Sequence, residues 1–193
     1  MKIIGITGGT GSGKSQVLAY LENEYKAHIC ELDKVAKDLQ EKDKKCYIDI
    51  VKYFGEEILD KDRNIDRSSL ADIVFNDNQK LDILNKLVHP AVKEFTIKDI
   101  EKEKAKGTGI YVIESALMPT AGYENICDDM WYIYTEEHIR RIRLKESRGY
   151  SDKKMDEMFS SQSSDDDFRR ISKVVIDNSG DFENTKKQIG EIL

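Results

Sequence analysis

Gly8-Gly9-Thr10-Gly11-Ser12-Gly13-Lys14-Ser15 satisfies the pattern GxxxxGK[ST] in full, and every residue type in it suits the holding of a polyphosphate. Glycines let consecutive backbone N–H groups curl around β- and γ-phosphates with no Cβ in the way. Lys14 can reach a phosphoryl group in transfer, and the Ser15 hydroxyl can take a Mg²⁺ position. Gln16 follows just inside the next element, where its backbone N–H can approach an α-phosphate. The expected ligand set for ATP is therefore Gly9, Thr10, Gly11, Ser12, Gly13, Lys14, Ser15 and Gln16, with Ser15 also on the metal. A ligand-free glycine turn is the bland alternative. A Rossmann loop is excluded because the spacing GxGxxG is absent.

Other residues could complete a phosphoryl-transfer site. Asp33 follows an apolar run, where a carboxylate could accept a hydroxyl proton or help hold Mg²⁺; it could equally cap the helix that begins at Lys34. Glu114 ends the run Ile110-Tyr111-Val112-Ile113 as an acid does in a Walker B element, or is simply a strand end. Arg140, Arg141, Arg143, Lys145 and Arg148 cluster in one segment, and a mobile arginine-bearing lid would supply positive charge over a triphosphate. Arg148, beside the turn at Gly149, is read as the functional cation, whereas Arg140 and Lys145 are read as a solvated basic face. No NKxD element accompanies the loop, so a GTPase is disfavoured. A small-molecule kinase fits better than a motor ATPase at this length.

These residues need a scaffold. Short β-branched runs at 2–7, 27–32, 109–114, 130–135 and 173–176 alternate with helical periodicity at 14–25, 34–40, 45–53, 67–75, 78–88, 136–147, 152–161 and 182–192. Pro90 suits the first turn of a further helix to about Lys104, and Ser151 suits an N-cap. Alternation of this kind predicts a three-layer α/β/α fold of the P-loop nucleoside triphosphate hydrolase type, with a five-stranded parallel sheet, an inserted helical substrate lobe and a helical lid. One domain of 193 residues is expected. Its core spans about 1–33, 106–138 and 170–193, its helical lobe about 34–105 and its lid about 139–169.

A net charge of −6 argues against a nucleic-acid binder that relies on a broad basic face. Three scattered cysteines, Cys30, Cys46 and Cys127, form no CxxC, and the opening apolar run is too short for a signal or membrane segment. The expectation is a cytoplasmic protein with small-molecule substrates, no nucleic-acid or membrane partner, and a monomeric or weakly homo-oligomeric state.

With these residues in view, the chain resembles the dephospho-CoA kinase family over nearly its whole length. The similarity is carried by Ile4–Ser15, Asp33 with Ala36, Phe54-Gly55, Ile65–Leu70, His89-Pro90, Gln162 and Val175–Gly180, in family order. It implies transfer of the γ-phosphoryl group of ATP, with Mg²⁺, to the ribose 3′-hydroxyl of dephospho-CoA. Asp33 would be the base, Lys14 and Arg148 would stabilise charge in flight, and Asn178 would lie beside adenine. Arg67, His89 and Leu117 would contact the acceptor. Without the resemblance, His89 reads as a helix-junction histidine, Arg67 as a helix-start surface residue and Asn178 as a turn residue. The chain departs from the family at Glu31, in the loop Glu114–Pro119, at Ser172-Lys173 and in the spacing of Arg143-Leu144, so Arg141 or Arg143 could share the role given to Arg148. A kinase for another nucleoside or nucleotide acceptor and an ATP-binding regulatory protein are the competing readings.

Overall fold

A computed structural model describes every residue of the chain except 117, 119–121 and 124. Five strands form one parallel sheet in the order β2-β3-β1-β4-β5. They are β1 (Lys2–Thr7), β2 (His28–Glu31), β3 (Ile110–Glu114), β4 (Asp129–Tyr134) and β5 (Val174–Asp177). The register pairs Ile6 of β1 with Glu114 of β3 and with Trp131 of β4, so the chain leaves β1 between the ends of two neighbours. Burial on both faces explains the near-continuous apolar runs. Ile4, Ile6, Val112, Trp131, Ile133 and Ile176 pack with Val17, Leu18 and Leu21 of α1 (Lys14–Tyr25) and with Ile189 of the C-terminal helix.

Among the described residues the further α-helices are α2 (Leu32–Leu39), α3 (Lys45–Phe54), α4 (Arg67–Phe75), α5 (Asn78–Ala105), α6 (Glu137–Arg148), α7 (Asp152–Ser160), α8 (Asp165–Ile171) and α9 (Phe182–Ile192), with a short 3-10 turn at Glu56–Ile58. The chain divides into two compact units. One comprises Met1–Cys30 with Glu103–Leu193, and the other comprises Glu31–Lys102. No helix among the described residues is long and apolar enough to cross a membrane.

Three local expectations are corrected. The second strand does not run to Leu32, nor does the helix wait for Lys34: β2 stops at Glu31 and α2 begins at Leu32, which places Asp33 in the first turn. Leu32 and Val35 are buried together at an i, i+3 spacing, so the helix starts early enough to use Leu32 as an anchor. The Asp33 carboxylate there favours the positive helix end.

Residues 78–105 form one helix rather than two, with Pro90 inside it. Proline removes a backbone donor and costs about 3 kcal/mol in a helix interior. Val88, Val92 and Thr96 are buried at i, i+4 and i+8, continuing one packed face across the proline and offsetting that cost.

Residues 165–171, read from sequence as no regular element, form α8. Ser164 and Asp167 make a reciprocal capping box, and Phe168 is buried. The motif was present in the sequence, but a single buried aromatic gives too little periodicity to reveal so short a helix.

Candidate active site

The glycine loop joins β1 to α1, so its shape is set by elements that flank it. Gly13 occupies the position before the first turn of α1 with φ 85° and ψ 19°, a left-handed conformation that favours glycine. A Cβ on Gly13 would lie 2.3 Å from Asn178 Nδ2. Asn178 is itself almost fully buried; its Nδ2 donates to the Ser12 carbonyl at 2.8 Å, and its Oδ1 accepts from the Thr185 hydroxyl at 2.8 Å. The Thr135 hydroxyl also donates to the Ser12 carbonyl, at 3.0 Å. Two side chains from the ends of β4 and β5 thus fix one loop carbonyl, and the planar trans peptide then points the Gly13 N–H the other way. The first turn of α1 carries no acidic residue to compete for the helix dipole.

Lys14 Nζ donates to the Gly8 carbonyl at 2.7 Å and stands 3.7 Å from Glu114 Oε1. Glu114, nearly buried at the end of β3, is therefore part of the loop's surroundings and not a solvated strand end. Ser15 and Gln16 are exposed in the first turn of α1, and the Gln16 N–H donates to the Gly13 carbonyl at 3.0 Å. The Ser12 N–H closes a turn to Gly9 at 3.1 Å.

Helix α6 brings two arginines to this loop. A Cβ on Gly9 would meet Arg140 Nη1 at 2.1 Å, so glycine at this position admits the guanidinium. Arg143 donates to the Asn178 carbonyl at 2.8 Å and stands at the opposite end of the loop, 3.5 Å from where a Gly13 Cβ would be. Arg140, read from sequence as a solvated basic residue, is thus corrected to a loop neighbour. The available signal was its i, i+4 relation to Leu144, which is buried. Lys145 pairs with Asp152 at the surface as expected, and Arg141 pairs with Glu137 and Asp156. Arg148 is exposed at the end of α6, with its guanidinium 5.8 Å from the Tyr150 ring centre. Their hydrogen bond, before the neighbouring Lys154 charge, holds the Tyr150 hydroxyl below the usual tyrosine range.

Gln162, between α7 and α8, reaches the loop from a third direction. The Thr10 N–H donates to Gln162 Oε1 at 3.0 Å, and Gln162 Nε2 donates to the Thr10 hydroxyl. Nearby, the Tyr132 hydroxyl donates to Asp165, which ties α8 to β4. Burial, and then that hydrogen bond, push the Tyr132 hydroxyl well above the usual tyrosine range, so it stays protonated at neutral pH.

The second unit holds Asp33, Arg67 and His89. Asp33 is exposed in α2. Arg67 is exposed at the start of α4, after Asp66, whose carboxylate accepts from Ser68 N–H. His89 is exposed within α5, not at a helix junction. Leu117 lies outside the described residues.

This arrangement has relatives. A family profile described as dephospho-CoA kinase matches residues 2–184. A dephospho-CoA kinase from Carboxydothermus hydrogenoformans is 34% identical over 193 residues, covering 100% of this chain and 93% of the relative. One from Aquifex aeolicus is 34% identical over 192 residues, covering 100% and 96%. Among solved structures, a Thermus thermophilus protein superposes with a TM-score of 0.83 at 25% identity, over 99% of this chain and 95% of its own. A dephospho-CoA kinase from Campylobacter jejuni superposes at 0.71 with 21% identity, over 100% and 96%, and a shikimate kinase from Bacteroides thetaiotaomicron at 0.55 with 11%, over 99% and 96%; these two establish likeness of fold. From the profile match and these full-length relatives, the chain belongs to the dephospho-CoA kinase family.

Proposed function

We propose that this chain transfers the γ-phosphoryl group of ATP to the ribose 3′-hydroxyl of dephospho-CoA, giving ADP, coenzyme A and a proton. The observation that carries the reading is the loop itself. It is a glycine cradle fixed at the Ser12 carbonyl and bordered by Lys14, Arg140 and Arg143, in a chain whose family match spans residues 2–184. Ser12 Oγ and Arg140 Nε, both buried, have no hydrogen-bond partner among the described residues. Buried donors of this kind are costly until satisfied, and a phosphate supplies acceptors.

Lys14 and Arg140 sit where charge developing on the phosphoryl group can be stabilised. Arg148 enters the same role only if α6 moves. Asn178, with both ends of its amide engaged, shapes the loop even where its backbone borders adenine. Mg²⁺ fits the donor set: the Ser15 hydroxyl and the Glu114 carboxylate are hard oxygen ligands of the kind it prefers. When bound, it would neutralise charge on the β- and γ-phosphates. Asp33 is the proposed base, taking the 3′-hydroxyl proton as that oxygen bonds to the γ-phosphorus and the bond to ADP breaks. Support for it is its family position and its place just after the carboxyl end of a parallel strand. His89, Arg67 and Leu117 are proposed acceptor contacts in the same way. The compartment that fits scattered cysteines and small soluble substrates is the cytoplasm, with a monomer or weak homo-oligomer as the working unit.

Acceptor-dependent ADP release tests this directly, with Mg·ATP and either dephospho-CoA, adenosine or nucleoside monophosphates. Selective turnover on dephospho-CoA, with coenzyme A identified by mass, is expected. Turnover confined to another acceptor refutes the substrate assignment, and ATP binding without transfer to any of them refutes the kinase reading.

A further inference from the structure

Gln162 engages Thr10 in a way that a chance surface contact would not. Its carbonyl accepts the Thr10 N–H, and its NH₂ donates to the Thr10 hydroxyl, so both ends of the amide are matched to one loop residue. The two residues are 152 apart in sequence. The same amide oxygen lies 3.3 Å from where a Gly9 Cβ would be, a point that Arg140 Nη1 also approaches, at 2.1 Å. Gln162 and Arg140 therefore converge on Gly9 and Thr10, in the N-terminal half of the loop.

The connection between them runs through Phe159. The Arg140 guanidinium carbon lies 4.5 Å from the Phe159 ring centre, and Gln162 sits just past α7, its N–H donating to the Phe159 carbonyl at 3.4 Å. Clipping Gln162 to Thr10 holds the end of α7, and with it the ring on which the guanidinium rests. A cation stacked on an aromatic ring has fewer orientations to search. Beyond Gln162, Ser164 and Asp167 cap α8 and Tyr132 fixes Asp165, so the residue is held from its C-terminal side as well.

We infer that Gln162 is a positioning residue for phosphoryl transfer: its amide clips the α7–α8 turn to Thr10 and, through Phe159, sets Arg140 against Gly9 of the phosphate loop. This rests on the reading of Gly8–Ser15 as the ATP site. It places Gln162 upstream of Arg140, not on the reacting atoms.

The test combines steady-state kinetics with amide exchange on the full chain. Gln162→Ala is expected to lower kcat about tenfold, the scale of one or two lost hydrogen bonds, with KM for ATP changed by no more than about twofold. In an Arg140→Ala background, Gln162→Ala is expected to cost nothing further, because its effect passes through the arginine. Full kcat in Gln162→Ala, additive losses with Arg140→Ala, or tighter ATP binding in Gln162→Ala would each overturn the inference. A wild-type protein that binds ATP but transfers to no acceptor overturns the kinase reading instead. The clip is then judged by exchange at the Thr10 amide, which Gln162→Ala should speed at least about tenfold if the bond is real and leave unchanged if it is not.

Discussion

Gly13→Ala adds a methyl group where the phosphate loop has both the wrong backbone angle and no room for one. At φ 85° and ψ 19° the alanine must adopt a left-handed conformation, at about 1–2 kcal/mol. Its Cβ would also stand 2.3 Å from Asn178 Nδ2, well inside contact distance. Asn178 cannot swing aside freely, being 1% exposed and held by Ser12 on one side and Thr185 on the other. Displacing it breaks the bond to the Ser12 carbonyl, and a buried amide left unpaired costs about 1–3 kcal/mol. Together these give about 2–5 kcal/mol, shared between fold stability and the loop's fitness for ATP. If all of it fell on binding, affinity would drop between about 30-fold and about 4,000-fold. Gly149→Ala is the control: its φ is also left-handed, at 62°, but nothing lies within 4 Å of an added Cβ. It should lose only about 1–2 kcal/mol of stability and no ATP affinity. Urea unfolding and calorimetric ATP titration on both variants separate the two costs. If Gly13→Ala matches Gly149→Ala in stability and binds ATP as tightly as wild type, the packing of Asn178 against the loop does not constrain it, and the reasoning fails.

Asp33→Asn should spare ATP binding while cutting turnover on dephospho-CoA by about 10²–10⁴-fold, measured by coupled ADP release; equal turnover would put the base elsewhere. Arg140→Ala should reduce kcat far more than Arg148→Ala, on the order of 10²-fold against a few-fold, because only Arg140 reaches Gly9; the reverse ranking in single-turnover assays would show that α6 rearranges before chemistry. Glu103, buried and hydrogen-bonded by Lys106 and Thr108, has its carboxyl held below the usual range. Its contribution to stability is present above about pH 4.3 and is lost as pH falls through the lower folded value. Glu103→Gln should therefore flatten the acid limb of the unfolding profile, and an unchanged limb would count against that carboxyl.

The nucleotide loop, the strand before it and the helix after it were legible because their signals are contiguous. Glycine spacing, a β-branched run and helical periodicity all sit within residues 2–25. The parallel sheet followed from alternation of strands and helices, and the order of satellite motifs pointed to the family. Residues that act alone within their segments were harder to read. Five basic side chains on and around α6 look alike in sequence, and only the helix phase relative to Leu144, together with docking of that helix, turned Arg140 toward Gly9 and left Arg148 by Tyr150. Asn178 reads locally as a turn residue, yet it holds the carbonyl of a residue 166 positions away. Gln162 was visible as a motif residue, but its partner Thr10 was not.

The physical reason is the range of the forces involved. Backbone conformation and hydrophobic period are local properties, so a sequence fixes the elements and the loop that binds phosphate. Hydrogen bonds and charges act over a few ångströms in space without regard to separation along the chain. Which arginine, amide or threonine meets the loop was therefore decided only when β4, β5 and α6–α8 packed around β1.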